Sequence, residues 1–88
     1  MYSSIHQGDI LKIENIKVPV LVVSKDFFNQ SEEVIACPII NKSAAGPLHI
    51  MVHGDSVSGF VECESMKLFD LHIRSWKKTD QIHINEII

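Results

Sequence analysis

The side chains whose types and spacing offer chemistry in this sequence are its histidines and a short basic run. His6, His49, His53, His72 and His83 can each gain or lose a proton near neutral pH, so general acids and bases are in good supply. Arg74-Ser75-Trp76-Lys77-Lys78 gathers three cations around the single tryptophan, a grouping able to stack a base and hold its phosphate. His49 and His53 share one face of an alternating segment with Met51, but no third ligand is spaced near them, so no metal site is expected. Ser24 and Ser65 belong to no recognisable Ser–His–Asp signature, which sets hydrolase triads aside. Cys37 and Cys63 fall inside apolar segments, outside any C-x-x-C spacing, and read as reduced, buried thiols.

The elements that must position these groups read as strands. Ile10–Glu14 alternates after Gly8-Asp9, and Val18–Val23 is almost wholly apolar, the pattern of a central strand with Pro19 near its start. Glu33–Ile40 is a third strand in which Pro38 forfeits one ladder bond. Leu48–His53, Gly59–Glu64, Met66–Phe69 and Ile82–Ile84 complete the expected set. Helix is confined to Asp26–Asn29 and a start at Asn85, and Asn41–Pro47 is the longest stretch of small and polar residues. Five to seven short strands with frequent turns define a β-rich fold with little helix, a barrel-like or sandwich-like sheet.

Composition narrows the function classes. Eighty-eight residues hold one core, so residues 1–88 form a single domain, and a core that small gains stability by pairing with a copy of itself. A formal net charge of −3 excludes a basic footprint spread over the whole surface; nucleic acid would have to meet a local cluster of Lys and Arg. The polar N-terminus and the shortness of the apolar runs predict a cytoplasmic protein with no membrane span.

Taken in order, the segments resemble the MazF/PemK/Kid family of toxins. Gly8-Asp9-Ile10, then Val18-Pro19-Val20-Leu21-Val22-Val23-Ser24, then Phe27 to Asn29 resemble the family's opening strands and the Asn after them. Ala36-Cys37-Pro38-Ile39-Ile40-Asn41 stands where the family has its third strand end. Gly59-Phe60-Val61-Glu62-Cys63-Glu64-Ser65-Met66-Lys67-Leu68-Phe69-Asp70 resembles a segment with Cys-Asp-Gln at its centre, with Arg74 where an arginine follows. The resemblance implies an SH3-like barrel that forms homodimers, binds a cognate antitoxin protein, and cleaves single-stranded RNA without metal or cofactor.

It also implies a site. The family's ribonucleases carry Arg before the Pro of the second strand and Thr or Ser at the end of the third; here those positions are Val18 and Ile40. The first loop, Glu14–Lys17, is shorter than the family's usual one, and the chain ends at Ile88, about where a last helix is expected to begin. Lys17, one residue from the vacated Arg position, and Glu64, at the Asp of Cys-Asp-Gln, are then the expected catalytic residues. Asp9, Ser24, Asn41, Lys67 and Arg74 are the expected RNA contacts. Two other readings stand beside a ribonuclease: a catalytically degenerate relative that docks partners, and a gyrase-directed poison like CcdB. The last fits least, since the chain ends Asn85-Glu86-Ile87-Ile88 and not Trp-Gly-Ile.

Overall fold

β-Branched runs punctuated by Gly, Pro, Asn and Ser fold into strands joined by tight turns. A computed structural model describes residues 5–40, 49–54 and 57–82. Within them run β1 (Asp9–Ile13), β2 (Val20–Val22), a one-turn helix α1 (Asp26–Asn29), β3 (Glu33–Ile40), β4 (His49–His53), β5 (Ser58–Glu62), β6 (Lys67–Asp70) and β7 (Trp76–Gln81). A 3-10 turn over Cys63–Ser65 links β5 to β6. The strands form one antiparallel sheet in the order β4-β5-β3-β2-β1-β7, with β6 also on β3.

Strand β3 is long enough to carry two neighbours on one edge. Glu33–Ala36 pair with β6, Ile39 and Ile40 pair with β5, and β2 lies along the other edge. The backbone N–H of Ile39 donates to Pro19 O on the β2 side at 2.9 Å. Alternation therefore turns position 38 toward the β5/β6 edge, where Pro38 has no N–H to give. That is where the ladder breaks and the Cys63–Ser65 turn intervenes. The missing donor costs nothing there.

Both faces of the central strands are covered, which explains why Val20-Leu21-Val22 reads as continuously apolar. One face packs Leu11, Ile13, Val20, Val22, Val34 and Ala36 with Ile5, Phe69 and Leu71. The other packs Ile10, Leu21, Cys37 and Ile39 with Val52, Val61 and Ile82. The sheet curls into a half-barrel that brings its two ends together. Val57, beyond the β4 end, donates its N–H to Asp80 Oδ2 of β7 at 2.9 Å, and Gly54 N donates to Val57 O at 2.7 Å. A Cβ on Gly54 would overlap the Asp80 carboxylate, which would have to move off the Val57 N–H to make room.

The boundaries shift in places from the sequence expectations. β5 ends at Glu62 because the chain turns at Cys63, and β6 runs one residue later than expected, to Asp70. The last described strand is Trp76–Gln81, ahead of the expected Ile82–Ile84, of which residues 83 and 84 lie outside the described residues. Its polar sequence, WKKTDQ, conceals a strand that pairs throughout with β1 across a bulge between Ile10 and Leu11. The second expected helix, from Asn85, also lies outside the described residues.

Candidate nucleic-acid interface

The two strands that frame the expected site leave a short entry loop behind them. Ile16 N donates to Ile13 O at 3.0 Å, and Asn15 takes φ 68°, a left-handed conformation that asparagine tolerates. The chain leaves this turn at exposed Lys17 and enters β2 through Val18 and Pro19. In the β2–β3 ladder Val20 pairs with Pro38. Two steps further, the same register sets Val18 opposite Ile40, so the two positions where the resemblance expects Arg and Thr converge. Both are half-buried aliphatics with no donor and no charge. Lys17 is the cation beside them, and Asn41 lies outside the described residues.

Glu64 and Lys67 stand elsewhere along β3. Glu64 is exposed in the 3-10 turn, and exposed Lys67 pairs with Ala36. Val18 falls opposite Ile40, four residues or about 13 Å of strand away from Ala36, and Lys17 lies one residue beyond Val18. The ladders therefore set Lys17 and Lys67 at separate points along β3, with Glu64 in the turn just before Lys67.

Asp9 and Ser24 have their polar atoms engaged within the fold. Ser24 Oγ donates to Asn29 Oδ1 and accepts from Ile35 N at 3.0 Å. Asn29, fully buried, returns its Nδ2 to Ser24 O at 3.1 Å and reaches Ile5 O at 3.5 Å. This buried knot ties the end of β2, α1 and the N-terminal segment together. Asp9, also buried, accepts from His6 N at 2.8 Å and pairs with Lys78 Nζ at 3.2 Å.

Arg74-Ser75-Trp76-Lys77-Lys78 does not present one patch. The Arg74 guanidinium lies 5.9 Å from the Phe69 ring centroid, with Nη1 buried and unpartnered among the described residues. Trp76 packs half-buried on the core opposite Ile13, and Lys78 turns to Asp9. That leaves Lys77, which pairs directly with Lys12 across β1 and β7. Both are exposed, and neither forms an ion pair among the described residues. Like charges directly opposite on a sheet repel, so the pair costs stability and invites an anion. The strand pattern around Lys12 was legible, but its pairing with Lys77 came with β7, which its polar sequence concealed.

Two of the histidines, His72 and His6, are held in ion pairs. His72 Nδ1 lies 2.8 Å from Asp70 Oδ1, and Nε2 lies 3.1 Å from Glu32 Oε2. The Asp70 hydrogen bond and the nearby acidic groups raise its pKa, while the His72 backbone N–H and ring hold that of Asp70 down. His6 Nδ1 contacts Asp26 Oδ2 at 2.9 Å; the Gln7 backbone N–H, and then His6, lower the Asp26 pKa. His53 is exposed on β4. Among the described residues no group of three or more His, Cys, Asp or Glu is arranged to hold a metal ion.

The half-barrel, with its paired strand ends, short entry loop and 3-10 turn, defines an SH3-like class of small β-protein. Comparisons give the lineage. The family model of the PemK-like, MazF-like toxins of type II toxin-antitoxin systems matches residues 7–87, and the chain belongs to that family. The fold matches the MazE–MazF complex (Form-I) from Deinococcus radiodurans with a TM-score of 0.81 at 20% identity, over 94% of this chain and 84% of that one. MazF alone (Form-I) from the same organism gives 0.77 at 16%, over 99% and 88%. An endoribonuclease from a mycobacterial species gives 0.81 at 15%, over 99% and 84%. No curated protein matches the sequence.

Proposed function

We propose that this chain is the toxin of a toxin–antitoxin pair and acts on single-stranded RNA, cleaving it slowly. Family membership over residues 7–87 supports the toxin role, and exposed Lys17, next to the positions 18 and 40 that the β2–β3 register sets opposite each other, carries the catalytic reading. RNA cleavage through the 2′-hydroxyl needs a proton acceptor, a donor for the leaving oxygen, and positive charge at the phosphorane. Val18 and Ile40 provide none of these. Losing one preorganised donor typically costs about 10²–10³ in rate, so the reaction falls to Lys17 as the charge beside the scissile phosphate. Glu64 and Lys67, farther along β3, contact the strand away from the reacting nucleotide, and Lys12 and Lys77 hold its phosphates on the β1–β7 side.

An antitoxin and a second copy of the chain are the protein partners of this reading. Exposed Phe27, Met66, Leu68 and Ile73 offer the apolar surface that such partners cover. The observation that Val18 and Ile40 are both aliphatic favours a second reading, a docking module without cleavage. Incubating the purified chain with a mixed RNA pool and sequencing new 5′ ends separates the two. Cuts at a short preferred sequence, weakened in Lys17→Ala, support the ribonuclease. RNA left whole while antitoxin still binds establishes the docking module.

A further inference from the structure

The two cysteines, 26 residues apart in sequence, meet across a strand break. In the β3–β5 ladder Ile39 pairs with Val61 and Ile40 with Phe60. Two steps back on β3 and two steps on from Val61, a continuation of that register into the turn brings Cys37 level with Cys63, and the two thiols are within hydrogen-bonding reach. Steps of two keep a residue on the same face of the sheet. The packing agrees: Cys37 is a fully buried member of one core cluster, and Cys63 packs half-buried against that cluster. Directly opposed antiparallel residues have Cα atoms about 4.5–5.5 Å apart, inside the range that a disulfide spans. Cys63 also opens the 3-10 turn, just past the last paired residue of β5, where the backbone has room to adjust.

We propose that Cys37 and Cys63 form a modification site, a dithiol that hydroperoxides convert to an intramolecular disulfide. The asymmetry of the two thiols sets the order of events. Burial, with Cys63 alongside, pushes the Cys37 thiol up to about 11, so it stays protonated and a poor target. Cys63 is the thiol that solvent reaches. Its thiolate attacks the peroxide oxygen, the O–O bond breaks, hydroxide leaves, and Cys63 becomes a sulfenic acid. The Cys37 sulfur then attacks the Cys63 sulfur, the S–O bond breaks, and the Cys37 proton leaves with the hydroxyl as water. Two thiols lose two electrons and one peroxide is reduced. The bond ties the turn that carries Glu64 to strand β3, and a disulfide reductant restores both thiols.

The test treats the purified full chain with a small excess of hydrogen peroxide, followed by intact mass and non-reducing peptide mapping. Expected are a loss of two hydrogens, one cross-linked peptide joining Cys37 to Cys63, and a Tm rise of roughly 10 °C that dithiothreitol reverses. Because Cys37 is buried, Cys37→Ala carries a risk to folding, and Cys63→Ser at the half-exposed position is the second variant. Neither is expected to form the cross-link, and Cys37→Ala is expected to stop at a sulfenic acid that dimedone traps. Sulfinic or sulfonic acid on Cys63 with Cys37 still a free thiol overturns the proposal. So does a Cys63–Cys63 bond between chains.

Discussion

The two ends of the β2–β3 ladder have been treated differently. At one end Ser24, Asn29 and Ile35 lock into a buried hydrogen-bonded knot. At the other, Val18 and Ile40 come into register where charge and a hydroxyl are expected, and both are aliphatic. An unpaired polar atom inside a core costs about 1–3 kcal/mol, so the knot cannot drift without loss of the fold. No such penalty guards the half-buried end, since a valine or isoleucine there leaves nothing unsatisfied. On the proposed reading, fold and chemistry sit at separate ends of the same two strands, and one can change while the other stays.

The strongest way to sharpen that contrast is to refill the emptied end. The double variant Val18→Arg with Ile40→Thr is expected to raise the single-turnover cleavage rate of single-stranded RNA by at least about 10²–10³-fold, the figure for one donor, because it supplies both a preorganised charge and a hydroxyl donor at the phosphate. An unchanged rate with the fold intact breaks the argument that these two positions limit the reaction. The complementary change attacks the knot. Asn29→Ala strips partners from the Ser24 hydroxyl and from carbonyls buried around it, and is expected to cost about 2–3 kcal/mol in urea unfolding. A loss below about 0.5 kcal/mol would mean that the knot is not what fixes this end.

How much of this was legible beforehand follows the same division. The strands carrying both core faces, β2 and β3, declare themselves through unbroken β-branched runs, and α1 is flagged by Asp26 to Asn29. Strand β7 does not, because Lys77 and Lys78 project from it and its apolar content is reduced to Trp76. Without β7 the pairing of Lys12 with Lys77 could not be inferred. The roles of Asp9 and Ser24 were likewise out of reach, since a carboxylate or hydroxyl reads as a contact residue until its partners Lys78 and Asn29 are placed beside it. Cys37 and Cys63 show no motif in sequence and are brought together by the β3–β5 register and the core packing.

The Lys12–Lys77 pair lies on neither end of β2–β3. If Lys12 and Lys77 each neutralise one phosphate, replacing both by alanine should lower the slope of log K against log salt for single-stranded RNA by about 1.4. Affinity should fall equally for all sequences, as phosphate contacts carry no base information. Filter binding across a salt series checks this, and an unaltered slope places the RNA elsewhere.

The smallest effect is expected from His72, which bridges Asp70 and Glu32 at the surface near the knotted end. Its pKa is raised above 6.5 in the folded chain, so its contribution is whole below that value and fades as pH climbs through the raised one. Asp70 is lowered from 3.8, so its contribution is whole above that value and fades as pH falls. The clamp is therefore strongest between about pH 4 and 6.5 and weakens as pH climbs through the raised His72 value. Both groups are well exposed, which keeps the effect slight. His72→Gln should flatten the decline in urea midpoint on the alkaline side and leave the acid side largely in place. Parallel profiles for the two proteins from pH 6 to 8 would show instead that the clamp adds nothing. The retention of the knotted end would then rest on Ser24 and Asn29 alone.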